Sequence, residues 1–274
     1  MTRRTWLFVP GADPVAHAAA ARSGADVIIL ELEDFTPPEL RARARELSRE
    51  VFDRWRAAGA AAAVRINPLE TCGHEDLLGV LAGRPDMILM SKVVAPQQVV
   101  ALEKATGGAV DLVPNVETAA GLMNTYPIAK ASPRVVALLV ASEDMVADLG
   151  TARSRKGEEL AYVRSRFLVE CRAAGVEAID CPYTFNDVKG AVADARAAKR
   201  LGYRMKSLVD PAHARAINRV FSPSSQEISR ARKIVAAFEK ARAAGKERAK
   251  VDGALVEVPI YAAAKRLLES VSRS

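Results

Sequence analysis

Residues 111–122 read DLVPNVETAAGL. Asp111 to Val116 is a short apolar run suited to a buried strand, and Thr118 to Leu122 suits a first helical turn. Between them stands a carboxylate, Glu117. The pattern of strand, polar end and helix recurs along the chain. Strand-like runs begin near Thr5, Asp26, Ala61, Asp86, Asp111, Arg134, Val176 and Arg204. Helical stretches follow at about 14–22, 38–58, 75–82, 96–106, 118–130, 158–174, 187–200 and 212–219. The strands are apolar on both faces, as in a parallel sheet covered by helices. Eight such units predict an α/β fold, a (β/α)8 TIM barrel, over residues 1–221.

The pattern changes after Phe221. Residues 222–274 are predicted to form a C-terminal helical extension that packs on the barrel or on a neighbouring subunit. Ser224 and Glu227 are spaced as a capping box, and Ile228, Ala231, Ile234, Val235 and Phe238 give the helix one apolar face. A short strand, Ala254-Leu255-Val256, and a final helix over about 259–270 complete the chain.

The chain of 274 residues is 50% hydrophobic, enough for a sizeable core. No apolar run reaches the ~18–20 residues of a membrane span. Met1-Thr2-Arg3-Arg4 leads straight into Trp6-Leu7-Phe8-Val9 without a signal-peptide layout, so a cytoplasmic location with no membrane partner is expected. Three cysteines, Cys72, Cys171 and Cys181, form no C-x-x-C pair and read as plain buried thiols. The formal charge is +7, and Ile228 to Lys250 carries eight Lys/Arg against Glu239 and Glu247. That run lacks interleaved aromatics and reads as a solvated helix face, so no nucleic-acid partner is expected.

In a barrel the C-terminal strand ends form the active-site face. Their polar residues here are Pro10-Gly11, Glu31 with Glu33-Asp34, Arg65 with Asn67, Ser91-Lys92, Asn115 with Glu117, Ser142-Glu143-Asp144, and Lys206. Glu117 and Asp144 lie 27 residues apart, one barrel unit, which places them side by side on the rim. Two oxygen ligands with open positions beside them suit Mg²⁺. The same residues also fit a helix N-terminal carboxylate and an ordinary loop acid. Zinc-hydrolase and P-loop motifs are absent. His17, His74 and His213 are scattered and read as surface or helix residues. Pro10-Gly11 reads as a tight turn or as a loop against a substrate phosphate.

Seven stretches, RRTWLFVPG, GADVIILELED, VRIN, SKV, VETAAGL, ASEDMVADLG and FSPSSQEISRARKIV, occur in an order that resembles the citrate lyase β-subunit-like proteins of the HpcH/HpaI aldolase superfamily. The resemblance implies a (β/α)8 barrel, a Mg²⁺ ion, and reversible carbon–carbon cleavage of 3-hydroxyacyl-CoA esters of the citryl-, malyl- or citramalyl-CoA type. It implies an acyl-CoA or 2-hydroxy or 2-oxo acid as substrate. It also implies a homo-oligomer, a trimer or hexamer, in which a C-terminal segment covers a neighbour's site. Position by position, Glu117 and Asp144 match the metal ligands and Arg65 the substrate-binding arginine. Glu257 stands where the family has a tail aspartate that reaches a neighbouring site, and is the candidate catalytic base. Pro10, Gly11 and Lys92 are expected at the substrate, and Glu33 and Asp34 behind water on the ion. Lys92 and Lys206 are also placed to pair with these acids, or to serve a Schiff-base aldolase.

The chain departs from the family pattern at Glu31, where Asp is usual, and at Asp13-Pro14, where Arg-Pro is frequent. It departs again at Asp210-Pro211-Ala212-His213 and at Glu257. These changes bear on which acyl group is used and whether CoA is used. Thioester hydrolysis on the same site, or a non-catalytic subunit of a lyase complex, are the competing expectations.

Overall fold

Eight parallel strands close into a barrel in chain order: β1 (Thr5–Pro10), β2 (Val27–Glu31), β3 (Ala61–Ile66), β4 (Met87–Met90), β5 (Asp111–Val116), β6 (Ala137–Val140), β7 (Glu177–Asp180) and β8 (Met205–Leu208). The computed structural model describes residues 3–272. β8 pairs back onto β1, with Thr5 opposite Lys206 and Leu7 opposite Leu208. The expected (β/α)8 barrel is the observed one. Arg3–Phe221 forms one compact unit and the residues from Ser222 onward a second.

Side-chain alternation along the strands separates two apolar layers. Trp6, Phe8, Val27, Ile29, Ala63, Met87, Leu89, Val113, Leu139 and Ile179 pack together inside the barrel. Their neighbours Leu7, Val9, Ile28, Leu30, Val64, Ile88, Leu112, Leu138 and Ala178 pack outward against the helices. One further step of the inward set brings Pro10, Glu31, Arg65, Ser91 and Asn115 to the mouth. Register makes several of these direct neighbours: Pro10 lies opposite Glu31, and Glu31 opposite Arg65.

Helices depart from expectation where local chemistry intervenes. The stretch 118–130 is two helices, Ala119–Met123 and Thr125–Lys130. Pro127 has no N–H to offer the carbonyl four residues back, so the helix breaks at Asn124. After β6 an unexpected short helix, Glu143–Asp148, precedes the long Ala161–Ala174 helix.

In the second unit the helix Ser225–Ala243 begins with the expected reciprocal cap between Ser224 and Glu227. Its Ala231, Ile234 and Phe238 pack with Val256 and with Ala264 of the helix Val258–Ser272. Phe238 stacks on Tyr261 at 4.7 Å between centroids. The expected strand Ala254–Val256 (β10) pairs with a strand the sequence reading omits, Ala249–Val251 (β9). Between them Asp252 and Gly253 have φ of 49° and 79°, the left-handed pair that a two-residue hairpin turn demands.

Candidate active site at the barrel mouth

Arg65 is the hub. It is 5% exposed and sits at the end of β3. Its Nε donates to Glu31 Oε1 at 2.9 Å, and its Nη1 to Glu117 Oε1 at 3.3 Å. Its Nη2 lies 3.2 Å from Glu33 Oε2 and 3.6 Å from Asp34 Oδ2. The guanidinium also rests against the rings of Phe8 and Phe35, at 4.9 and 5.9 Å to their centroids.

Glu31 organises the turn that carries the other acids. Its carboxylate accepts the backbone N–H groups of Glu33 and Phe35, both at 2.6 Å. Its carbonyl accepts from Thr36 Oγ1, which in turn accepts the Gly11 N–H at 2.8 Å. A Cβ at Gly11 would stand 2.7 Å from Glu31 O and 2.7 Å from Ala44 Cβ, so only glycine lets the β1 loop approach β2 this closely.

Glu117 is fully buried. Thr118, not Glu117, caps the following helix by accepting the Gly121 N–H at 3.1 Å. The Glu117 carboxylate is thereby free to face Arg65, Asn115 Nδ2 at 3.3 Å and the Lys92 N–H at 3.0 Å. The Lys92 ammonium lies 2.5 Å from Glu33 Oε1 and 3.9 Å from Asp34 Oδ1. Asp144, half-buried in the first turn of its short helix, joins this group through charge.

Five carboxylates thus meet two cations, and the acids bear the imbalance. Burial, opposed by Arg65 and reinforced by Glu33 and Asp144, pushes the Glu117 carboxyl up to about 7. Burial and Asp34 push Asp144 up against Lys92 and Arg65. Burial likewise raises Glu33 despite both cations. Glu33 Oε1 meets the Lys92 ammonium and Oε2 the Arg65 guanidinium, while Asn115 Oδ1 is buried without a hydrogen-bond partner. Hard oxygen donors in an under-neutralised cluster fit Mg²⁺, which takes one or two carboxylates and keeps several waters. Among the described residues no three His, Cys, Asp or Glu side chains form a ready cage, which an ion of that habit does not require.

The structure brings Glu33, Asp34, Arg65, Lys92 and Glu117 into one network and links the Pro10-Gly11 loop to it through Thr36. Arg65 has partners in plenty, all distant in sequence. Phe8 and Phe35 are part of the site that sequence reasoning did not nominate, and Glu31 and Asn115, which it set on the rim, it gave no role. For Glu31 and Asn115 the signal is a polar residue on the inward alternation of an apolar strand.

Lys206 is a correction. Met205 belongs to the barrel interior, so Lys206 turns outward. Its ammonium is fully buried, 2.6 Å from Asp180 and 2.5 Å from Asp194, beside Arg164 at 2.7 and 2.9 Å from the same acids. Burial would lower the Lys206 pKa, but the two aspartates outweigh it and hold the lysine charged. Lys92 is raised as well, first through its Glu33 contact. Neither amine is prepared as a Schiff-base nucleophile. His17 and His213 are 1% exposed, not surface residues. His17 Nε2 meets the Pro10 carbonyl at 2.9 Å. Asp13 caps the helix Pro14–Ser23 by accepting from the Val15 and Ala16 N–H groups, which gives this departure a local structural role. Glu257 lies in the second unit, 3.2 Å from Arg248.

The fold and site define a closed parallel (β/α)8 barrel with an arginine and acids gathered at its mouth. The chain belongs to the HpcH/HpaI aldolase/citrate lyase family, whose model matches residues 4–211. It is 32% identical to citrate lyase subunit beta of Leuconostoc mesenteroides subsp. cremoris over 279 residues, covering 97% of this chain and 92% of that protein. It is 33% identical to (3S)-malyl-CoA thioesterase of Cereibacter sphaeroides over 263 residues, 93% of this chain and 89% of that one. It superposes with a TM-score of 0.82 and 28% identity on the CitE protein of Mycobacterium tuberculosis in complex with magnesium, acetoacetate and coenzyme A, over 99% of this chain and 98% of that one.

Proposed function

We propose that this protein is a Mg²⁺-dependent carbon–carbon lyase that cleaves or forms a 3-hydroxyacyl-CoA ester of the citryl-, malyl- or citramalyl-CoA type. The observation that carries the reading is the meeting of Arg65 with Glu117 in an acid-rich barrel mouth, in a family whose members include citrate lyase subunits. Glu117 and Asp144 would hold the ion, which supplies Lewis-acid polarisation of the substrate's hydroxy-acid end. Arg65 presents a planar fork to the substrate carboxylate. Glu33 and Asp34 orient water at the mouth. The Gly11 loop and Lys92 border the substrate's path.

Cleavage needs a base to take the hydroxyl proton as the bond between the α and β carbons breaks, giving a 2-oxo acid and a thioester enolate. Carboxylates engaged by an ion make poor bases, because the cation lowers their pKa. Glu257 is our candidate, acting on the site of a neighbouring copy in a homo-oligomer. A second reading, thioester hydrolysis, is favoured by the likeness to the malyl-CoA thioesterase. Incubation with malyl-, citramalyl-, β-methylmalyl- and citryl-CoA plus Mg²⁺, scored by mass spectrometry, separates the two. Cleavage yields an oxo acid and a shorter acyl-CoA; hydrolysis yields free CoA and the intact hydroxy acid. Turnover of none of the four would overturn both and leave a non-catalytic subunit.

A further inference from the structure

Lys92 has a main-chain conformation that its side chain does not explain. Its φ is 54°, in the left-handed region that residues with a Cβ rarely adopt. The chain is anchored on both sides of it. The Ser91 N–H donates to the Ile66 carbonyl of β3 at 3.2 Å, and the Val93 N–H to the Asn115 carbonyl of β5 at 3.0 Å. The left-handed residue between these anchors turns its own N–H inward, onto Glu117 Oε2. A strained backbone beside a site is held by the surrounding structure and marks a functional constraint.

The side chain has a separate task. The Lys92 ammonium reaches Glu33 from the solvent side: its side chain is 45% exposed, that of Glu33 only 4%. The lysine can therefore swing away without uncovering core, whereas the acid cannot follow. Lys92 and Asp144 also feel one another's charge, so the ammonium stands within the field of the acids around Glu117. A divalent cation on Glu117 and Asp144 would repel the ammonium across that field.

We propose that Lys92 is a positioning residue with two separable parts: a left-handed main chain that aims an N–H at Glu117, and an ammonium that serves as a tethered counter-ion until a divalent cation displaces it from Glu33. This rests on Glu117 and Asp144 as the holders of the ion. The ammonium's release makes it available at the mouth to an anionic substrate.

Calorimetric titration of Mg²⁺ into wild type, Lys92→Met, Lys92→Gly, Lys92→Val and Glu117→Gln tests each part without turnover. Met and Gly remove the ammonium and leave the N–H in place, so Mg²⁺ should bind about threefold tighter or more. Valine, β-branched and poorly tolerated at positive φ, should pull the N–H off Glu117 and bind Mg²⁺ more weakly than the Gly variant. Unchanged or weaker binding in Met and Gly, with binding lost in Glu117→Gln, would overturn the counter-ion role alone. Equal affinity of folded Val and Gly variants would overturn the main-chain role. Should Val fail to fold, Lys92→Thr, which is also β-branched, takes its place in that comparison. Wild-type affinity in Glu117→Gln would remove the ion site itself, and the proposal with it.

Discussion

Arg65 Nη1 lies 3.3 Å from Glu117 Oε1, while its Nε holds Glu31 at 2.9 Å. One guanidinium thereby ties together the ends of β2, β3 and β5. Lysine keeps the charge but not the fork. Arg65→Lys should lower kcat/KM by at least about tenfold, roughly 1.4 kcal/mol. Arg65→Met should go further and destabilise the fold by about 3–5 kcal/mol, since it leaves buried acids unpaired. Steady-state kinetics and urea denaturation measure the two effects. Near-wild-type kinetics in Arg65→Lys would refute the substrate role.

Glu117→Gln and Asp144→Asn should each weaken Mg²⁺ binding while the protein stays folded. Both substitutions keep shape and remove a carboxylate able to bind the ion. Calorimetry beside a thermal melt is the check, and Mg²⁺ affinity unaltered in both variants contradicts the ion site.

Lys206→Met should destabilise by about 3–5 kcal/mol, because it strands Asp180 and Asp194 beside Arg164 in a buried network. Borohydride added during turnover should trap no adduct on Lys206 or Lys92. A mass shift on either lysine would revive imine chemistry.

Acid should uncouple one loop contact in a defined window. Burial would raise the Glu159 carboxyl, but hydrogen bonds from Ser154 and Arg153 outweigh it and hold it at about 2, against an ordinary 4.5. A depressed carboxyl contributes stability above its unfolded pKa and loses it as pH falls through the folded one. Glu159→Gln should therefore be less stable than wild type at pH 7, by roughly 1–3 kcal/mol. The gap should narrow from about pH 4.5 and close near pH 2. A gap independent of pH would mean that ionisation is not its source.

Glu257→Gln should cut kcat sharply and leave Mg²⁺ binding intact. Mixing it with inactive Asp144→Asn should restore part of the activity, because some interfaces would then pair an intact barrel with an intact tail. Absence of recovery, with subunit exchange confirmed, would confine Glu257 to its contact with Arg248.

Glu117 stood out in the sequence because a charged residue directly ends an apolar run. Lys206 misled for a related reason. A strand of four residues, Met205–Leu208, offers too few positions to tell which face is inward, and a shift of one residue moves a side chain to the other face. The partners of Arg65 were hidden differently: Glu31 and Glu117 lie 34 and 52 residues away. The β9–β10 hairpin, by contrast, was written locally in Asp252-Gly253.

The order and number of the barrel strands, the cap at Ser224 and the acids at the strand ends follow from the sequence alone. These depend on neighbours a few residues apart, and short-range sterics and hydrogen bonding decide them. Which acid meets which cation was decided only by barrel closure and strand register. Closure set Glu31 opposite Arg65 and brought Glu117 to the same guanidinium. It also turned Lys206 away from the mouth into a buried network with Asp180 and Asp194. Those pairings arise from packing between distant segments, where desolvation makes each charge depend on a partner that no local pattern specifies.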